Sequence, residues 1–173
     1  MKRSYIVFLA ALSILLSAGL TRNAQAADLK IGFVDIAAVF DSYDKTKEQD
    51  SILADKSAQE KLKRDKMVEK VNNMKNELEL LSDKQKQKKQ EEIQEEITSL
   101  QDFDTQTKAT LKRERDDMLR DILKEIDATI SEYAQKNGYS VIFNSRILVY
   151  GEEQYDITRE ITNILNSKYR KKK

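Results

Sequence analysis

Four glutamates come closest to a spacing that could do chemistry. Glu91, Glu92, Glu95 and Glu96 would place carboxylates at i and i+4 on one face of a helix, as in bundles that hold two metal ions. Those bundles bury their acids and pair them with histidine, whereas this chain has no histidine and no cysteine. The usual general base, the thiol nucleophile and the commonest ligands of zinc and copper are therefore missing. We predict no metal site, no catalytic residue and no enzymatic activity.

Phosphate binding lacks its usual signature as well. A phosphate-cradling loop needs clustered glycines before a helix and a lysine after them, but the glycines beyond residue 26 are the scattered Gly32, Gly138 and Gly151. No nucleotide and no other cofactor is expected. Asp35 stands between a predicted strand and a predicted helix, and this position is typical of a helix cap rather than of a catalytic acid.

A lysine cluster is the remaining feature that could bind a ligand. Segment 82–90 carries four lysines and one aspartate, and it has no apolar side chain. Lysine clusters attract anionic membrane surfaces and lipid head groups, so these residues are candidate contacts for such a surface. We call them the tip lysines, and they are Lys84, Lys86, Lys88 and Lys89.

The N-terminus has the composition of an export signal. Lys2 and Arg3 precede an apolar run over 6–16, and small residues follow up to Ala26. This pattern predicts a signal peptide over 1–26 that is cleaved after Ala26, although an uncleaved anchor over 5–20 is an alternative. Without residues 1–26 the chain has 28 basic and 30 acidic residues. That balance is unlike the basic footprint of a nucleic-acid-binding protein, so no nucleic acid is expected as a partner.

The centre of the chain reads as two long helices. Residues 33–137 contain no glycine and no proline, and apolar residues recur three or four positions apart, which indicates amphipathic helices. We predict an antiparallel hairpin arm over 44–136, with helices over about 44–81 and 90–136, a tip near 82–90 and a length of about 60 Å. A continuous rod that pairs between chains as a coiled coil is the alternative. The apolar positions are Ala58, Leu62, Val68, Val71, Met74, Leu78 and Leu81 in the first series, and Ile93, Ile97, Leu100, Phe103, Leu111, Met118, Ile122, Ile126, Ile130 and Tyr133 in the second.

The two flanks of the arm have the period of β-strands. Alternating apolar residues predict strands over about 29–35, 139–143 and 146–150, with a turn at Asn144 and Ser145. Gly138 stands just past the predicted long helix, where a left-handed cap is expected. A final helix follows, with Asp156 placed to cap it. The predicted fold is therefore α+β and mainly α, with a β body formed by 27–43 and 137–173. Three strands from one chain leave exposed edges, so the pattern also predicts oligomerisation.

Both flanks resemble a known family, the periplasmic chaperones of the Skp or OmpH-like type. The resemblance rests on 30–35 with Val39, Phe40 and Tyr43, and on 137–143, 147–150 and 156–158. It implies a homotrimer in the periplasm whose β body carries three helical arms around a cavity. Unfolded outer-membrane proteins would be held there without ATP. By analogy, the contact between subunits would consist of Ile31, Phe33, Val141, Phe143, Ile147 and Val149.

The charge of the second arm helix departs from that family. Members often have basic arms, whereas 91–136 carries thirteen acids and seven bases, and its first part, 91–104, has six acids and no base. Lipopolysaccharide binding is therefore not transferred to this chain. A holding chaperone is the leading functional hypothesis, and a structural or scaffold coiled-coil protein of the cell envelope is the alternative.

Overall fold

The computed structural model describes residues 29–172 of the chain, so the predicted signal peptide and its cleavage site lie outside the described residues. The fold is α+β and mainly helical, as predicted. Its regular elements are β1 (Ile31–Val34), α1 (Ile36–Ser42), α2 (Asp44–Glu79), α3 (Asp83–Asn137), β2 (Val141–Asn144) and α4 (Thr158–Lys172).

The helices α2 and α3 form the hairpin arm. α2 has 36 residues and α3 has 55, so α2 is about 54 Å long at 1.5 Å per residue. The arm turns at 80–82, where the Leu80 N–H donates to the Glu77 carbonyl at 3.0 Å and the Gln85 N–H donates to the Ser82 carbonyl at 2.9 Å. Ion pairs between the two helices, described below, show that they run antiparallel.

The predicted start of the second arm helix is wrong by seven residues. We expected helix only from about 90, but α3 begins at Asp83 and includes all four tip lysines. Lysine and glutamine have high helix propensity, so the segment extends the helix although it has no apolar stripe. The absence of apolar residues marked the end of the helix–helix seam and not the end of the helix.

The two strands of the sheet lie on opposite sides of the arm in the sequence and pair with each other in the body. β1 and β2 pair in parallel, with Ile31 opposite Val141 and Phe33 opposite Phe143. The other edge of β1 is partly used, because the Ile157 N–H donates to the Phe33 carbonyl at 2.9 Å. The first strand thus meets residues more than a hundred positions away in the sequence, as predicted.

The predicted third strand over 146–150 is wrong. Ser145–Ile147 forms a 3₁₀ helix instead, and the residues up to Gly151 have no helix or strand. Asn144 causes the departure, because its side-chain oxygen accepts the Arg146 N–H at 3.1 Å and turns the chain away from the sheet. Within one chain, segment 147–150 has the apolar composition of a strand but is paired with no other strand.

The buried core lies where the arm joins the body. The ends of the helices are capped as predicted: Asp35 accepts the Ala38 N–H at 3.0 Å, Asp156 accepts the Thr158 N–H at 2.8 Å, and Gly138 ends α3 with a φ of 71°. α3 runs without interruption from the arm into this core. The buried cluster consists of Val34, Val39, Tyr43, Ile122, Ile126, Ile157, Ile161 and Leu165.

Candidate functional site

Among residues 29–172, nothing covers one face of the two-stranded sheet. Side chains alternate between the two faces of a strand, and Val34 and Ile142 pack on or against the core. Ile31, Val141 and Phe143 are exposed, with Phe143 at 38%. Phe33 lies on the same face and is half-buried, because its ring packs against Gly151.

The segment after β2 adds further exposed apolar side chains. Ile147 is 70% exposed and Val149 is fully exposed. Their neighbour Tyr150 and the aromatic Tyr155 are also exposed, and sequence analysis had not singled out either of them as a site residue. Five of the six residues named by the family resemblance are thus exposed and the sixth, Phe33, is half-buried. We call these six residues the apolar body face. Exposed apolar surface of this kind is typical of an interaction site.

The arm has a thin apolar seam. Among the described residues beyond the core cluster, only Val71 and Ile93 are buried apolar side chains of the arm. The predicted seam residue Leu62 is 63% exposed, so it lies outside the seam. Most of the arm's other seam positions are half-buried. Apolar burial along the arm is therefore modest, and polar contacts must hold part of it.

Those polar contacts are ion pairs between the two arm helices. Four of them join a base on α2 to an acid on α3, and the fifth, near the tip, has the opposite direction. We call the set the ion-pair ladder. Its members are Lys45 with Glu125 at 2.6 Å, Lys56 with Glu114, Arg64 with Asp104 at 2.9 Å, Lys70 with Glu96 at 2.6 Å and Lys89 with Glu77 at 2.6 Å.

The ladder explains part of the acidity of the second helix. Four of the thirteen acids in segment 91–136 belong to the ladder, and each of them forms an ion pair with a base on α2. Sequence analysis missed this pairing because each partner is 26 to 80 positions away along the chain. Exposed pairs each contribute at most about 1 kcal/mol, so the ladder adds modestly to the stability of the arm and also fixes how the two helices face each other.

The structure divides the tip lysines into two groups. Lys89 is engaged with Glu77, its side chain is 19% exposed, and the hydrogen bond from Lys89 to Glu77 raises the pKa of Lys89. Lys86 lies 3.8 Å from Asp83. Lys84 and Lys88 are exposed, one helical turn apart, and have no ion pair among the described residues. Two of the four tip lysines thus point to solvent on one side of α3.

The four glutamates with metal-like spacing are not gathered into a site. Glu96 is bound to Lys70, whereas Glu91 and Glu95 are exposed along an open groove that also contains Phe103. Within residues 29–172 no group of histidine, cysteine, aspartate or glutamate is placed to hold a metal ion. In the same part of the chain, no helix has both the length and the apolar composition that crossing a membrane requires.

The junction of arm and body contains a buried polar cluster. Tyr43 is 3% exposed and its hydroxyl donates to Glu125 at 2.8 Å. Burial, followed by the hydrogen bond to Glu125, raises the pKa of Tyr43. Burial alone would raise the pKa of Glu125, but hydrogen bonds from Lys45 and Tyr43 outweigh it and hold that pKa below its ordinary value. Glu125 is thus a carboxylate fixed between two helices.

Comparison with known proteins agrees with this geometry. Residues 30–165 match the protein family described as "Outer membrane protein (OmpH-like)", and this range includes the whole arm and most of the body. No curated protein sequence matches the chain significantly. One solved structure with the same fold is that of a protein from Caulobacter crescentus CB15, proposed to be an outer membrane chaperone (OmpH-like). It shares 14% identity with a TM-score of 0.71, over 81% of this chain and 85% of that one. The family match extends over most of the sequence, and the chain therefore belongs to the OmpH-like family.

Proposed function

We propose that this protein is an ATP-independent holding chaperone of the periplasm, which binds unfolded outer-membrane proteins and prevents their aggregation in transit. The match to the OmpH-like family over 30–165 carries the proposal, because it includes the whole arm and most of the body. The solved relative of the same fold, proposed to be an outer membrane chaperone, is consistent with it.

The apolar body face supports a homotrimer. A surface with Ile147 and Val149 in water is unfavourable, at about 25 cal/mol per Å² of apolar area. Covering it requires other molecules, since α1 and α4 pack on the opposite side of the sheet. The outer edge of β2 and the unpaired segment 147–150 are complementary elements that neighbouring copies could join. Three copies would then place three arms around a shared cavity.

The properties of the arm support a chaperone that holds unfolded proteins rather than one that folds them in an ATP-driven cycle. It is about 54 Å long, it has a mixed-charge surface, and it carries scattered exposed apolar residues such as Ile52 and Leu62. A protein that binds the unfolded state through many weak contacts lowers the concentration of free unfolded chains by mass action. Such binding needs no nucleotide.

The tip lysines provide a second, smaller element of the proposal. Lys84 and Lys88 project from the first turns of α3 and are free to contact anionic head groups, each worth about 1 kcal/mol near such a surface. Lys86 and Lys89 are partly neutralised by Asp83 and Glu77. We therefore expect weak attraction of the arm tips to anionic membranes.

An aggregation assay tests the proposed function. A urea-denatured β-barrel membrane protein is diluted into buffer with the purified chain lacking residues 1–26, and light scattering is followed over time. We expect suppression at a modest excess of trimer, with or without ATP. No suppression, together with tight binding to a folded envelope protein, would instead support the scaffold function.

A further inference from the structure

The start of α2 is tied to both neighbouring helices through one residue. Tyr43 alone separates α1 from α2, and its backbone is extended, with φ −73° and ψ 125°. Its hydroxyl is bound to Glu125 of α3 at 2.8 Å. Its ring meets the ring of Tyr169 of α4 edge to face, with 5.8 Å between the centroids. The side chain of Tyr43 therefore fixes the first turn of α2 at a point where the backbone is not helical.

The last turns of α4 add polar bonds to the same point. The Asn166 side chain accepts the Asp44 N–H at 2.8 Å and donates to the Ser42 carbonyl at 3.3 Å. Arg170 is paired with the Asp44 carboxylate at 2.7 Å. The first N–H groups of a helix lack partners within the helix, and Tyr43 makes no side-chain cap for α2. Asn166 thus caps α2 from another element.

These contacts matter for bending because the arm consists of two helices that lie side by side. The two helices are joined at the tip by the turn at 80–82, and α3 is anchored in the core at its other end. Such a hairpin bends only if α2 slides along α3. With axes about 9 Å apart, a slide of about 1.5 Å, one residue's rise, tilts the arm by about 10°. Over an arm of about 54 Å, the tip then moves by between about 5 and 9 Å.

We infer that residues 166–170 form a latch that sets the bending stiffness of the arm. When the latch is engaged, α4 holds the start of α2 in addition to the bonds that Tyr43 and Lys45 make with Glu125, and sliding meets the most resistance. When it is released, only the contacts of Tyr43 and Lys45 remain at this point, so α2 slides more easily and the arm bends further, which is the shear type of helix motion. The ion-pair ladder resists sliding less, because its long lysine and arginine side chains can follow a shift of about 1.5 Å while they keep their partners. The short side chain of Asn166 is bonded to backbone groups and cannot follow such a shift.

The latch has a consequence for cargo, and that consequence rests on the proposed function. In an assembly that encloses an unfolded protein between its arms, the stiffness of each arm decides how far the cavity opens for a large cargo. The stiffness itself is a property of the protein without cargo. It can therefore be measured independently of holding.

Pairs of spin labels measure the bending. The chain contains no cysteine, so cysteines introduced at Gln90 near the tip and at Asn163 on α4, both exposed, are unique labelling sites. Labelled chains are mixed with an excess of unlabelled chains so that only distances within one chain contribute to the double electron–electron resonance signal. The latch variant carries Asn166→Ala with Arg170→Ala. The matched control carries Ser167→Ala with Lys171→Ala, which has the same spacing on the same helix at exposed positions.

Because the tip moves mostly across the line that joins the two labels, we expect the latch variant to shift or broaden the distance distribution by about 1–3 Å, with helix content unchanged by circular dichroism. The control should match the parent protein. A distribution that is unchanged in a helical latch variant overturns the proposal. If the double variant loses helix content, Arg170→Gln alone keeps the Asn166 cap and should give a smaller broadening, and no broadening there overturns the proposal too. The outcome does not depend on the aggregation assay, so either proposal can fail alone.

Discussion

Glu125 is an ionisable group that two partners hold at the junction between arm and body. Its carboxylate receives Tyr43 and Lys45 at 2.8 and 2.6 Å, although α3 contributes several other acids that remain in water. The arrangement is a buried tyrosine and a half-exposed ion pair at the junction between arm and body. It links a single titrating residue to the position of α2.

The lowered pKa of Glu125 predicts an acid-sensitive junction. A carboxyl group whose pKa is lower in the folded state stabilises the fold fully above its unfolded pKa, ordinarily 4.5, and loses this contribution as the pH falls through the lower folded value. Glu125→Gln should therefore reduce the free energy of unfolding most at neutral pH. The difference from the parent protein should shrink below about pH 4.5.

Urea denaturation followed by circular dichroism between pH 7 and pH 3 measures that difference. A difference of the same size at every pH would contradict the prediction. It would mean that Glu125 acts through packing and not through its charge.

The helices of the arm and those of the body differ in how they are stabilised. The body end of α3 buries Ile122 and Ile126 completely, whereas its arm portion relies on a thin seam and on exposed ion pairs. Two apolar residues of the predicted stripes illustrate the difference, because Ile126 is buried and Leu62 is mostly in water. Apolar residues with the same spacing therefore contribute unequally to the free energy of unfolding along one arm.

Alanine substitutions should reproduce this contrast. Ile126→Ala removes buried methyl groups and leaves a cavity, so it should lower the free energy of unfolding by about 2–5 kcal/mol. Leu62→Ala should change it by less than about 0.5 kcal/mol, because the side chain is exposed and alanine favours helix. Urea unfolding of the two variants checks both values. A loss at Leu62 comparable to that at Ile126 would show that Leu62 is covered in solution.

At the scale of the whole molecule, residues 29–172 leave the apolar body face without a partner. Val149 makes no buried contribution within the chain because it is fully exposed, so a charge placed there costs the single chain nothing in packing. It would be costly only inside an interface between copies, where an unpaired carboxylate is desolvated.

Val149→Asp should accordingly dissociate the proposed trimer without unfolding the chain. Sedimentation velocity should show a smaller species with unchanged helix content. Leu62→Asp, which places the same charge at an exposed apolar site on the arm, serves as the control and should leave the sedimentation coefficient as it was. An unchanged coefficient for Val149→Asp would remove this residue from the interface.

The sequence by itself determined the features that depend on neighbouring residues. The run without glycine or proline predicts the arm, Asp35, Asp156 and Gly138 predict the caps, and alternation predicts β1 and β2. These signals are local, because hydrogen bonds within a helix and caps involve residues only a few positions apart. The family resemblance at the two flanks was confirmed by the family match as well.

Only the tertiary structure decided the features that depend on distant partners. It placed the start of α3 at Asp83, left 147–150 unpaired in the single chain, matched acids of α3 with bases of α2, and brought Asn166 to the start of α2. Periodicity shows which face of a helix is apolar but not which residue of another element lies opposite. Ion pairs, strand partners and caps between elements exist only once the chain has closed across the arm.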